Sequence, residues 1–289
     1  MRSGVRAAAP RADLLLDREP LSPATFKALR SLLHEHSGIA LSPHKLAMVQ
    51  SRLAKRLRAL HLETYEAYLE CLEDPGADEW VHFINALTTN LTSFFREPHH
   101  FTRLVDLLGA DGPPPRPIRL WSAGCSTGEE PYTLAMTLFR AFGASHPVEI
   151  LATDLDTSVL ETAARGVYPV ARIDGLDEGW RKYAFLRGAG AQDGLVRLRP
   201  EIRRAVHFAK LNLLDAAWRL EGAPFHAIFC RNVMIYFDKP TQRRLLQRFQ
   251  QAMVPRGLLF VGHSESLLDP TLGFESLGQT IYRSREVQR

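Results

Sequence analysis

Residues 118–142 read IRLWSAGCSTGEEPYTLAMTLFRAF, and their pattern decides the fold. Ile118 to Ala123 is a short apolar strand, Gly124 to Gly128 a turn of small residues, and Glu129 to Phe142 a helix. The same unit recurs downstream. Ile150 to Thr153 is a strand running into Asp154 and Asp156, and Thr157 is read as the cap of the helix after it. Val206 to Leu211, Phe225 to Cys230, a helix from Lys239 to Met253 and a strand from Leu258 to Gly262 continue the series. Such alternation predicts an α/β fold with a doubly wound, mainly parallel sheet. Phe274 to Leu277 and Thr280 to Tyr282, divided by Gly278-Gln279, predict a closing antiparallel hairpin. Between the two halves, Gly188, Gly190 and Gly194 make a turn, and Leu195 to Arg199 alternates apolar Val196 and Leu198 with Arg197 and Arg199. This predicts a small β insertion at about residues 184–205, with an outer edge open to an added strand.

Upstream, Pro113, Pro114, Pro115 and Pro117 mark a loop, and the chain before them is helical. Ser22-Pro23 and Ser42-Pro43 are helix starts, Gly38 is a stop, and Leu46, Val49, Leu53, Leu57 and Leu60 form one apolar stripe. Thr64 precedes a second, with Tyr65, Tyr68, Leu69 and Leu72, and Thr88-Thr89-Asn90 interrupts a third from Trp80 to Phe101. The expected division is a disordered leader at 1–20, a small helical domain with its linker at 21–97, and the α/β domain at 98–289. The net charge of +4 fits an acidic partner of any kind. Three cysteines without metal or redox spacing read as reduced thiols, and no apolar run is long enough to cross a membrane, so a cytoplasmic protein is expected.

In a doubly wound sheet the ligand lies at the carboxyl ends of the strands, so the residues after each strand carry the function. Gly124 and Gly128 are expected to let backbone approach a cofactor, though the turn lacks the full dinucleotide fingerprint. Asp154 can accept both ribose hydroxyls of an adenosyl group, while Asp156 is the better helix cap. Asn212 and Leu213 suit the edge and face of adenine. Taken singly, each turn also has an ordinary structural reading. His99 and His100 are adjacent and make a poor metal pair, His263 is read as a structural hydrogen-bonding residue, and Trp121 and Phe229 as core.

Five segments in order then carry a resemblance: TTNLTSFFRE at 88–97, STGEEPYT at 126–133, ATDLD at 152–156, CRNVMIYF at 230–237 and GHSES at 262–266. Over residues 21–284 the chain resembles the CheR-type chemotaxis receptor methyltransferases. The resemblance implies a small amino-terminal helical domain and a domain that binds S-adenosylmethionine (SAM) and carries a β insertion. It implies cofactor contacts from Asn90, Thr92, Arg96, Glu129, Asp154, Asn212, Leu213, Arg231 and Asn232, with Arg96 and Tyr236 near the transferred methyl group. The activity implied is methyl esterification of chemoreceptor glutamates, with S-adenosylhomocysteine as product and no metal.

The chemistry agrees, because a glutamate carboxylate with a pKa of about 4.3 is already anionic at neutral pH and needs no general base. Arg96 can orient a carboxylate, and Tyr236 can hydrogen-bond one oxygen while leaving the other free. A nucleic-acid methyltransferase is the first alternative, but Arg231-Asn232-Val233-Met234 lacks the proline pair that amine methylation commonly uses. A non-catalytic SAM-binding module is the second. Lys45, Arg52 and Arg56 fall on one side of their helix and predict a basic ridge for the acidic helical bundle of a receptor. The insertion is a candidate tether for a receptor's carboxyl-terminal peptide. A monomer recruited to membrane receptor arrays, without nucleic acid or membrane insertion, is expected.

Overall fold

The computed structural model describes residues 19–74, 76–110, 112–267 and 272–285, so most of the expected leader lies outside the described residues. The chain divides into two compact units, one made of residues up to Leu32 with Ser42–Leu87, the other of Leu33–Leu41 with Thr88 onward. Among the described residues no helix is long and apolar enough to cross a membrane.

Helix α1 (Pro23–Ser37) as far as Leu32, with α2 (Leu46–Ala59), α3 (Tyr65–Cys71) and α4 (Glu79–Leu87), supplies the first unit. The apolar stripes read from the sequence are its core, with Val49, Leu53, Leu57, Tyr68 and Phe83 each fully buried. Thr64 caps α3 by accepting the Ala67 N–H at 3.1 Å. Burial of Glu79 beside α2 is balanced by Arg56, whose Nε and Nη2 donate to it at 2.9 and 2.6 Å, and by the Tyr68 hydroxyl at 2.7 Å. This corrects the basic ridge. Arg56 is spent inside the unit, and Arg52 Nη1 donates to the Ala86 carbonyl at 3.3 Å, while Lys45 is exposed.

The second unit contains α5 (His99–Gly109), β1 (Ile118–Ala123), α6 (Glu129–Phe142), β2 (Val148–Asp154), α7 (Thr157–Arg165), β3 (Val167–Pro169) and α8 (Glu178–Ala184). It continues with β4 (Phe185–Arg187), β5 (Leu195–Leu198), α9 (Pro200–Arg204), β6 (Val206–Lys210), β7 (Phe225–Cys230), α10 (Lys239–Ala252), β8 (Met253–Val261), β9 (Phe274–Ser276) and β10 (Ile281–Ser284). The main sheet has the order β6-β2-β1-β7-β8-β10-β9. Its first five strands are parallel, and β10 runs antiparallel to both β8 and β9, as the hairpin reading requires.

Alternation of side chains divides the core into two faces. Leu120, Ile150, Phe229 and Phe260 pack with Phe101 of α5 and Leu134 and Leu138 of α6. Their neighbours Trp121, Leu151, Ile228 and Leu259 pack on the opposite side with Leu245 and Phe249 of α10. Helices therefore cover both faces, and the strand order reverses beside β1, between β1 and β7.

Of the two cap readings that of Asp156 holds, because its carboxylate accepts the Ser158 and Val159 N–H groups and Thr157 already has helical geometry. One boundary differs from the sequence reading. Strand β8 starts at Met253 rather than Leu258, because the chain pairs with Phe225 before a register shift restores regular pairing at Ala227. The insertion forms a three-stranded antiparallel sheet, β3-β5-β4. Val196 and Leu198 are buried as expected, but β5, which carries them, is the central strand, so the open edges belong to β3 and β4. Strand β3 lies upstream of residue 184 and is three residues long, too short to display an alternation.

Candidate functional site

The turn after β1 needs three left-handed residues, Gly124 (φ +90°), Ser126 (φ +50°) and Gly128 (φ +93°). Its glycines are required by the protein's own packing. A Cβ on Gly124 would lie 2.3 Å from Val233 Cγ2, and one on Gly128 would lie 2.8 Å from the Ala163 Cβ. The turn is fixed to the end of β2, where the Ser126 N–H donates to Asp154 Oδ2 at 2.8 Å and the Asp156 N–H to Oδ1 at 3.0 Å. Burial pushes the Asp154 carboxyl up.

Glu129 opens α6, where the helix dipole favours a negative charge, and is fully buried. Its Oε2 accepts from the Thr127 hydroxyl at 2.6 Å, whereas Oε1 has no hydrogen-bond donor, with the Arg172 guanidinium 3.6 Å away. A buried acceptor without a donor is costly, which makes Oε1 a ready partner for a cationic ligand group. Arg172 also donates to the Thr92 carbonyl at 3.3 Å, joining Thr92 to Glu129.

The segment 88–97 lies along these turns. Thr88 Oγ1 and Asn90 Nδ2 donate to Asp156 Oδ2 at 2.9 and 2.8 Å. One buried carboxylate thus holds both the segment and the start of α7. Phe95 and Glu97 take positive φ values of 53° and 56°, a backbone conformation that side chains of their size rarely adopt and that collects at functional sites. Between them, Arg96 Nη1 donates to the Leu91 carbonyl at 2.7 Å. Among the described residues no carboxylate pairs with the Arg96 guanidinium.

After β7, Arg231 turns inward. Its Nη1 lies 3.0 Å from Glu130 Oε2, its Nη2 lies 3.0 Å from Glu97 Oε2, and Nη2 also donates to the Arg96 carbonyl. With a side chain 2% exposed, its two terminal nitrogens clamp separate segments together. Asn232 follows with φ +59°, and Tyr236 ends a short 3₁₀ turn, half-buried, its carbonyl accepting the Ala40 N–H at 2.9 Å. After β6 comes Asn212, whose Nδ2 donates to the His36 carbonyl at 2.8 Å and whose Oδ1 accepts the Leu214 N–H at 3.0 Å. Leu213 is buried beside it.

The structure thereby joins Asn90, Thr92, Glu129 and Asp154 through shared partners, and Arg96 to Arg231. Sequence reasoning missed the groups that do the joining: Asp156 as a double anchor, Glu97, Glu130, Arg172 and Glu265. Glu97, Glu130 and Glu265 stand inside quoted motifs, which was the available signal; Arg172 has none. Among the described residues no cluster of metal-ligating side chains occurs. His263 hydrogen-bonds only through its backbone here, its N–H donating to Glu97 Oε1 at 3.3 Å while its ring is exposed. His100 is the buried member of this group, its Nε2 lying 2.9 Å from the Gln279 carbonyl.

Residues 90–283 match the family model for the CheR methyltransferase SAM-binding domain, and residues 24–88 match that for the CheR methyltransferase all-alpha domain. The chain is 48% identical over 259 residues to chemotaxis protein methyltransferase 2 of Pseudomonas aeruginosa, covering 89% of this chain and 91% of the relative. It is 48% identical over 270 residues to the chemotaxis protein methyltransferase of Klebsiella aerogenes, covering 93% and 92%. It is 46% identical over 270 residues to that of Escherichia coli, covering 93% of each chain. The chain therefore belongs to the CheR methyltransferase family and is a SAM-dependent methyltransferase of chemotaxis.

Proposed function

We propose that this chain transfers the methyl group of SAM to glutamate carboxylates of chemoreceptors, forming glutamyl methyl esters and S-adenosylhomocysteine. The observation that carries the reading is Arg96, a half-buried guanidinium held by a carbonyl and without a carboxylate partner among the described residues. An enzyme that methylates an anion needs a cation to orient it and no base to deprotonate it.

The residues present fit SAM. Asp154 offers carboxylate oxygens for the ribose, and the Oε1 of Glu129 offers a buried acceptor for the ammonium of the methionyl part. Leu213 offers an apolar side chain for adenine. Asn90, Thr92, Asn212, Arg231 and Asn232 shape these positions, through their backbone or the bonds described above. When bound, SAM supplies an electrophilic methyl group on a positive sulfur. The protein's part is to strip water from the acceptor carboxylate, orient it through Arg96, and hydrogen-bond one oxygen through Tyr236 so that the other is free to attack the methyl group.

Receptor docking is assigned to Lys45 and Arg52 of α2, and a second contact to the small sheet. There a cavity of about 300 Å³ sets Arg181 and Arg187, with Lys182 paired to Glu178 at 2.6 Å, around Ile173, Phe185 and Val196. That mixture suits an aromatic, acidic receptor peptide, which would raise the local enzyme concentration at the array. The reading is tested by peptide mapping of a receptor cytoplasmic fragment after incubation with the enzyme and SAM. One added methyl mass on specific glutamates is expected, lost when each is replaced by alanine; methyl groups on other residue types would refute it.

A further inference from the structure

The sequence GHSES at 262–266 has no part in the cofactor or acceptor contacts above, yet its Glu265 is buried at 6% exposure. A buried carboxylate persists only where donors compensate it. Here the donors are three backbone groups at the ends of two neighbouring strands. Oε2 accepts the N–H groups of Gly262 at 2.6 Å and Asn232 at 2.8 Å, and Oε1 accepts that of Ile235 at 3.1 Å. The last donor immediately precedes Tyr236.

The loop after β7 is a segment that would otherwise leave these N–H groups without partners. Its second residue, Asn232, is left-handed and presses against Gly262, where a Cβ would lie 2.4 Å from Asn232 Nδ2. Val233 is seated on Gly124. Gln242 Nε2 donates to the carbonyls of Met234 and Phe237 at 2.8 and 3.0 Å. The Met234 and Phe237 carbonyls are thus held from α10, and the Asn232 and Ile235 N–H groups by Glu265.

We infer that Glu265 is the positioning residue of the methyl-transfer site, fixing the loop 232–236 and through it the Tyr236 side chain. This rests on the role given above to Tyr236. Glu265 touches neither substrate nor cofactor. Its two oxygens are not equivalent, which supplies a selective test. In Glu265→Gln the amide oxygen can keep the paired Gly262 and Asn232 donors, but the amide nitrogen must then face the Ile235 N–H. A donor opposes a donor one residue before Tyr236, while the strand ends stay joined.

The experiment labels the tyrosines, seven in the sequence, with 3-fluorotyrosine and assigns the Tyr236 fluorine resonance by its loss in Tyr236→Phe. In Glu265→Gln the Tyr236 resonance should shift or broaden, the other tyrosines should stay in place, and kcat should fall by about tenfold, the equivalent of one lost buried hydrogen bond. Glu265→Asp, which keeps both acceptors, should recover part of both readouts. An unmoved Tyr236 resonance in Glu265→Gln overturns the inference. So does a spectrum in which every tyrosine moves, which would mark Glu265 as merely structural. A moved Tyr236 resonance with unchanged kcat would keep Glu265 as anchor of the loop and remove Tyr236 from the reaction, a failure of the underlying reading and not of this one.

Discussion

Arg231 and Glu97 form an ion pair of 3.0 Å with side chains only 2% and 12% exposed. Burial alone would raise the Glu97 carboxyl, but Arg231 beside it brings it below its ordinary value. The same guanidinium serves Glu130 and the Arg96 carbonyl, so one cation from the end of β7 closes on two carboxylates from two other segments. Removing one partner from a buried network leaves uncompensated charge, worth about 3–5 kcal/mol. Arg231→Met should therefore lose stability on that scale in denaturant unfolding. Arg231→Lys, which cannot bridge both carboxylates, should fall between it and the parent. A loss under about 1 kcal/mol for Arg231→Met would contradict the clamp.

Asp154 is the cleanest test of the cofactor site. Loss of a charged hydrogen-bond acceptor costs about 1.5–3 kcal/mol, so Asp154→Ala should weaken SAM binding by roughly tenfold to over a hundredfold in calorimetry. S-adenosylhomocysteine should lose affinity in parallel, since it differs from SAM only at the methyl group. The variant should also be less stable without ligand, because the Ser126 and Asp156 N–H groups lose their acceptor. Unchanged affinity would remove Asp154 from the site.

The inward turn of Arg56 separates two charges that look alike in sequence. Arg56→Ala should destabilise the helical unit by about 2 kcal/mol, less than a fully buried pair because the arginine is 22% exposed. Lys45→Glu with Arg52→Glu should instead raise the receptor Michaelis constant while leaving SAM affinity as it was. The opposite assignment of the two phenotypes would restore the ridge as first read.

His100 gives a pH dependence whose sign is fixed. Burial lowers its pKa from 6.5 to about 4, so the folded protein keeps the ring neutral where the unfolded chain would protonate it. Between those values the unfolded state binds more protons. The contribution is complete above pH 6.5 and is lost as pH falls towards about 4, with a total of about 3 kcal/mol at 1.36 kcal/mol per unit. Stability measured across that interval should be flatter in His100→Gln. An identical slope would mean that another group carries the transition.

Much of this architecture is legible in the sequence because burial imprints a period on it. The alternation of Leu120 with Trp121 and of Ile228 with Phe229 names the strands and assigns each side chain to a face of the sheet. The helix bounds at Glu129 and Phe142 follow from Gly128 and Gly143 on either side. The polar connections are not legible in this way. Arg231 meets Glu130 across 101 residues and Arg96 across 135, and nothing local distinguishes such an arginine from one that faces a ligand. Asn212 illustrates the same limit, since an amide suited to adenine is equally suited to the His36 carbonyl. Motifs located the segments of the site; only the folded chain tells which members face inward.

Whether the acceptor is a carboxylate is decided by the chemistry of the product bond. The enzyme is incubated with methyl-labelled SAM and chemoreceptor cytoplasmic fragments, with DNA and RNA in parallel, and the products are treated with mild base. The account predicts label on the receptor fragment, released as volatile methanol because a glutamyl methyl ester hydrolyses where a methylated amine does not. Label that stays on the protein through base treatment, or that is found on nucleic acid, would contradict it.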